Sequence, residues 1–228
     1  MYLKYFKRPL DFILSLLAFA VLSPLLLILS LVGAVMMKGN PFFTQRRPGK
    51  SEKIFKLIKF RTMTCEEDEN GQLLADDIRL TGYGKFLRAT SLDELPELIN
   101  IIKGEMSIIG PRPQLVRDMV FMTPEQRKRH TVRPGLTGLA QSSGRNGITW
   151  DDKLKLDLEY IDNITFLGDI KILINTVKCV FAREGITEEG MATAADFGDY
   201  LLSIGSIEKE EYDAKLSESK ELIAKASK

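Results

Sequence analysis

Residues 12–37 read FILSLLAFAVLSPLLLILSLVGAVMM, a run of 26 without a single charge. That exceeds the ~20 residues a helix needs to cross a hydrocarbon core. A soluble helix of this length normally keeps a polar face, so lipid is the expected surrounding. A cleaved signal peptide has an apolar core of roughly 7–15 residues followed by a small-residue cleavage site. This run is longer and no such site follows it, so residues 1–38 are expected to remain as a membrane anchor.

Working outward, two features bear on how the anchor sits. Pro24, near its centre, lacks an N–H and crowds the carbonyl four residues back, which kinks a helix. Ser23 beside it is placed to bond the freed carbonyl, a repair tolerated in lipid. Lys4, Lys7 and Arg8 precede the run, and Lys38, Arg46, Arg47, Lys50 and Lys53 follow it. Positive flanks belong on the cytoplasmic side. A helix that enters, bends at Ser23-Pro24 and returns to the same face satisfies both flanks. A straight crossing with one frustrated flank is the alternative, since proline kinks also occur in spanning helices.

The net charge of +1 hides an asymmetry. Residues 1–61 hold eleven Lys/Arg against two acids, a balance of +9 that leaves −8 for the rest. A basic third around an apolar segment points to anionic phospholipid headgroups rather than to nucleic acid. Cys65 and Cys179 are too few for a disulfide framework or a zinc site, and His130 is the single histidine. Chemistry is therefore expected from carboxylates, arginines and lysines, and any metal from oxygen ligands such as suit Mg²⁺.

Beyond the anchor, Phe42–Gln45 and Ile54–Arg61 flank a polar turn and predict a hairpin. Lys56, Lys59 and Arg61 in its second strand are placed to face headgroups or a phosphate, or simply to line a solvated strand face. Leu92–Lys103 predicts a short helix stopped by Gly104, and Thr123-Pro124-Glu125 a helix start. Trp150–Ile161 and Phe166–Ala182 predict two more helices, the second with an apolar stripe at three- and four-residue spacing. Ser206–Lys228 reads as a charged helical appendage at the periphery. The expected fold is mainly α with a small β-hairpin: an anchor, a domain over residues 39–190 and an extension over 191–228.

Ser91-Leu92-Asp93-Glu94 opens the helix near residue 92. By that tetrapeptide alone the better reading is a capping box, Glu94 bonding back to the N-cap amide. The functional reading is two adjacent carboxylates kept ionised in a helix N-terminal dipole. One would attack phosphorus and the other hold Mg²⁺ or take a proton. Phosphate-type ligands crowd nearby. Arg88 lies five residues before Asp93, and Gly110-Pro111-Arg112-Pro113 presents an arginine fork between two prolines. Arg145 stands in Gly144-Arg145-Asn146-Gly147. Arg127-Lys128-Arg129-His130 reads as a solvated basic face. Asp157, among Leu154, Leu156 and Leu158, is a candidate buried ligand.

The ordered set of Ser23-Pro24, FFTQRRPG, KFRTM, SLDELPEL, GPRP, RPGLTGLAQ and GRN resembles the bacterial sugar transferase family of monotopic polyprenol-phosphate phosphoglycosyl transferases, over about residues 1–190. GRNGITWDDKLKLDLEYIDN and GITEEGMAT look most like the members that transfer N,N'-diacetylbacillosamine 1-phosphate. The resemblance implies a re-entrant anchor in the bacterial inner membrane, with the catalytic domain facing the cytoplasm. It implies transfer of a sugar 1-phosphate from a UDP-sugar to undecaprenyl phosphate, UMP being released and downstream glycosyltransferases taking the product. Asp93 matches the nucleophile of a covalent intermediate and Glu94 its partner, the two also serving as Mg²⁺ ligands. Arg88, Arg112, Arg145, Lys59 and Asp157 stand as substrate-binding candidates, and Lys7, Arg8 and Lys38 as snorkelling residues that set membrane depth. A hexose-1-phosphate transferase and a non-catalytic membrane scaffold are the alternatives.

Overall fold

A computed structural model of the chain describes residues 1–144, 148–182 and 196–227. With no charge to interrupt it, the apolar run is helical throughout. Helix α1 spans Lys7–Met36 after one π-helical turn over Tyr2–Phe6. Pro24 lies inside α1, and the Ser23 hydroxyl donates at 2.8 Å to the carbonyl of Ala20, the one that proline leaves unpaired. By length and composition this segment is able to cross a membrane.

Helix α1 touches the rest of the chain along its whole length. Lys7, Asp11 and Ser15 are buried at one end, and Leu26, Leu29 and Gly33 at the other. Lys7 Nζ pairs with Asp169 at 2.5 Å, and the Asp11 carboxylate accepts from Ser107 Oγ at 2.6 Å and Ile108 N at 3.1 Å. Arg8 donates to the carbonyls of Ile101 and Ile102 at 2.8 and 2.9 Å. Lys7 and Arg8 therefore do not snorkel as expected. A buried carboxylate and the unpaired carbonyls of a helix end need a cation more than a hydrated headgroup does.

Strands β1 (Phe42–Pro48) and β2 (Ile54–Phe60) form the expected antiparallel hairpin, Phe42 opposite Phe60 and Pro48 opposite Ile54. The short helix α2 (Asp76–Arg79) leads into α3 (Gly82–Thr90), and α4 runs over Glu97–Lys103 with Gly104 as its left-handed stop. Phe55 and Leu57 pack with Leu98, Ile101 and Met106 beneath Ala18, Phe19 and Leu22 of α1. Phe60 and Leu87 join Leu26 and Leu29 in a second cluster, closed by Leu92 and Leu95.

A second sheet was not foreseen. Strand β3 (Ser107–Ile109) pairs in parallel with β4 (Gly135–Thr137). Three residues a side leave no alternating pattern to read. What permits the pairing is glycine: a Cβ on Gly135 would lie 2.1 Å from the Gly110 nitrogen. Helices α5 (Val116–Met119), α6 (Pro124–Arg127), α7 (Leu139–Gly144), α8 (Trp150–Asp162) and α9 (Phe166–Ala182) follow. Thr123 caps α6 in a box with Gln126. The apolar stripe of α9 is present, but it faces outward: Phe166, Ile170, Leu173, Ile174 and Val177 are 38–50% exposed.

The C-terminal part is not a peripheral appendage. Helices α10 (Phe197–Ser203) and α11 (Lys209–Lys225) bury Phe197 and Tyr212 in a cluster with Val120, Phe121, Met122 and Leu154. Glu208, not Ser206, precedes the first turn of α11.

Candidate active site

Helix α3 ends at Ser91, which turns left-handed at φ 55°, and the chain re-enters as a single 3₁₀ turn over Leu92–Glu94. The capping box is not formed: Ser91 makes no side-chain cap, and Glu94 turns to cations instead. Its Oε1 accepts from Lys59 Nζ at 2.6 Å and from Arg112 Nη2 at 2.8 Å. Pro96 divides the expected helix, so that α4 begins only at Glu97.

Each cation arrives from a different element. Lys59 follows Phe55 and Leu57 on the same face of β2, which aims it at α4. Arg112 comes from the loop after β3. Arg88, near the end of α3, donates through Nε to Thr62 Oγ1 at 3.2 Å. Asp93, Glu94, Lys59, Arg112 and Arg88 thus converge. Arg145 lies outside the described residues.

The electrostatics separate the two acids. Burial, and then the charge of Glu94, push Asp93 up to about 6 against the pull of Lys59, Arg112 and Arg88. Burial would raise Glu94 too, but Arg112 and Lys59 outweigh it and hold Glu94 well below the usual carboxylate range. Arg112 is raised in turn by Glu94. One carboxylate is a fixed anion clamped by two cations, and the other loses its proton only as pH rises through about 6.

Asp157 is buried as its leucine neighbours suggest, but its partner is internal. Arg129 donates to it through Nε and Nη2 at 2.9 and 2.6 Å, and also to the Arg112 carbonyl at 2.7 Å. The pair sits behind the arginine loop and supports it. Arg129 and His130 are buried, which corrects the reading of residues 127–130 as a solvated face. Only Lys128 there is more than half exposed.

Three residues escaped the sequence reading. Glu97 is buried and shares Lys59 at 3.1 Å. Asn100 accepts from Ile58 N and donates to the Lys56 carbonyl, fastening α4 to β2. Arg47 donates to the Pro113 carbonyl at 3.2 Å, and burial with Arg112 nearby lowers it to about 10. The three-residue spacing Glu94, Glu97, Asn100 was the available signal.

With this arrangement in view, residues 2–183 match the family described as bacterial sugar transferase. The chain belongs to the bacterial sugar transferase family. It is accordingly a transferase, and the scaffold alternative falls away. Among bacterial sugar transferases, it is 48% identical over 173 residues to the sugar transferase EpsL of Bacillus subtilis, covering 75% of this chain and 86% of that one. It is 38% identical over 188 residues to the UDP-glucose:undecaprenyl-phosphate glucose-1-phosphate transferase of Caulobacter vibrioides, covering 78% and 70%. With the undecaprenyl-phosphate galactose phosphotransferase of Salmonella typhimurium it shares 35% over 200 residues, 80% of this chain and 42% of that protein.

Proposed function

We propose that this sugar transferase moves a sugar 1-phosphate from a UDP-sugar to undecaprenyl phosphate through a covalent intermediate on Asp93. The observation that carries the reading is the Asp93–Glu94 pair, ringed by Lys59, Arg112 and Arg88, with Leu92 and Leu95 beside it packed on α1. An Asp93 oxygen attacks the sugar-bearing phosphorus, the bond to UMP breaks, and UMP leaves with the electron pair. A lipid phosphate oxygen then attacks the same phosphorus and the Asp93 oxygen departs. The clamped Glu94 keeps Arg112 and Lys59 in place, and those cations offset the diphosphate charge that would repel a carboxylate.

Mg²⁺ is typically held by one or two carboxylates plus substrate phosphates. Asp93 and Glu94 are adjacent oxygen donors of that kind and would hold the ion together with the substrate phosphates. When bound, the ion would supply further neutralisation of phosphate charge.

Membrane placement rests on α1. A straight crossing needs ~20 helical residues clear of the globular part. Instead Lys7, Asp11, Ala18, Leu22, Leu26 and Gly33 all meet the domain, while the opposite face, Val21 at 77% and Leu31 at 61%, stays exposed. This favours a re-entrant seat at the inner membrane, with the exposed stripe of α9 at the same surface and the catalytic domain in the cytoplasm.

For the sugar, the sequence resemblance of residues 144–163 and 185–193 to the diacetylbacillosamine 1-phosphate transferases favours an N-acetylated sugar. The relatives named for glucose and galactose favour a hexose as the second reading. Purified protein with undecaprenyl phosphate, Mg²⁺ and a panel of UDP-sugars should release UMP with one sugar class and stop on addition of EDTA. Absence of release with every sugar, from folded protein, would overturn the proposal.

A further inference from the structure

Helices α10 and α11 lie beyond residue 183, where the family match ends. We infer that they are a brace that positions Arg112, acting through Arg117 and Asp118; this rests on the proposed role of Arg112 at the reacting phosphates.

The connection runs through α5, which begins four residues after Arg112. The buried Asp118 carboxylate accepts from Leu115 N at 2.9 Å and from Phe197 N at 3.0 Å. One side chain therefore ties the end of the arginine loop to the first turn of α10. Arg117 pairs with Asp196 at 2.7 Å and Asp199 at 3.3 Å, and donates to the Tyr212 hydroxyl, which itself bonds Asp199. Lys215 of α11 donates to the Val120 carbonyl at 2.9 Å.

Packing follows the same path. Phe197 is 1% exposed, its ring 5.0 Å from that of Trp150, and a Cβ on Gly198 would lie 2.5 Å from the Phe121 ring. On the other side, Arg46 of β1 donates to the Ile223 carbonyl at 2.9 Å, while its neighbour Arg47 holds Pro113. The loop carrying Arg112 is gripped by Arg129 and Arg47 from within the family domain, and by the added helices through α5. Positioning matters because an ångström of misplacement at a phosphate ligand costs up to ~100-fold in rate.

The test uses the full chain with Arg117→Ala and, as the conservative variant, Arg117→Lys. Arg117 is about one-third exposed, so its loss leaves the core intact. Hydrogen exchange should quicken roughly three- to tenfold in the peptide covering residues 110–119 and stay unchanged in β1 and β2. The kcat should fall about tenfold with KM for the UDP-sugar within twofold, Arg117→Lys should restore most of it, and the fall should shrink below about twofold in an Arg112→Lys background. Unchanged exchange at 110–119, or an equal loss in the Arg112→Lys background, would overturn the brace. Quickened exchange in a protein whose unmutated form releases no UMP would support the brace and count against the functional reading alone.

Discussion

At Asp93 two demands conflict. A nucleophilic carboxylate must be ionised, yet burial and the neighbouring Glu94 charge push it up to about 6. Protonation removes the nucleophile, so kcat/KM should rise with pH through about 6 and lose roughly tenfold per unit below it. Arg112 is one of three cations that lower Asp93, so Arg112→Gln should move this acid limb to higher pH. Initial rates across pH 5–8 check both statements. At this scale the sequence was largely legible, because SLDE, GPRP and the lysine of the second strand all reach one place. Asp157 and Arg129 were not. Their mutual pairing joins positions 28 residues apart, and local spacing carries no trace of it. Glu94 was ambiguous for a related reason, since the same S-x-x-E pattern suits a cap or a clamp until its distant cations are known.

Among the elements, the contact of α3 with the chain after β2 sets where Arg88 and Ser91 lie. Gly84 meets that segment with no room to spare: a Cβ there would stand 1.9 Å from the Thr62 carbonyl oxygen. Gly84→Ala should therefore cost about 1–3 kcal/mol of stability through overpacking, and it should also lower kcat, because Arg88 is bonded to Thr62. Thermal unfolding and steady-state rates measure the two effects. Helices and the hairpin were readable from periodicity, capping and turn residues. The β3–β4 sheet was not, because its pairing depends on the close approach of two glycine backbones far apart in the chain, Gly110 and Gly135. The exposed side of α9 shows a different limit. Periodicity reveals a stripe but not what covers it.

For the whole molecule, the seating of α1 on one domain has a topological consequence. Its N-terminal end is fastened to Asp169 and its C-terminal half to Tyr83, whose hydroxyl donates to the Leu29 carbonyl at 2.8 Å. Single cysteines at Lys4 and Lys38, in a background lacking Cys65 and Cys179, should both react with an impermeant maleimide from the cytoplasmic side of sealed vesicles. Labelling from opposite sides would contradict the re-entrant arrangement. The uninterrupted apolar run made the long helix itself legible. Its docking did not show, because Lys7, Arg8 and Asp11 look alike in sequence whether they meet headgroups or Asp169, Ile101 and Ser107.

The most direct test of the Asp93 mechanism is the intact mass of the purified protein after exposure to its UDP-sugar and Mg²⁺ without undecaprenyl phosphate. The mass should increase by one sugar phosphate, with up to one UMP released per protein. The adduct should discharge when the lipid phosphate is added, and should be absent in Asp93→Asn, whose turnover should fall at least about 10³-fold. Full turnover by Asp93→Asn, with no adduct on the unmutated protein, would contradict the covalent route.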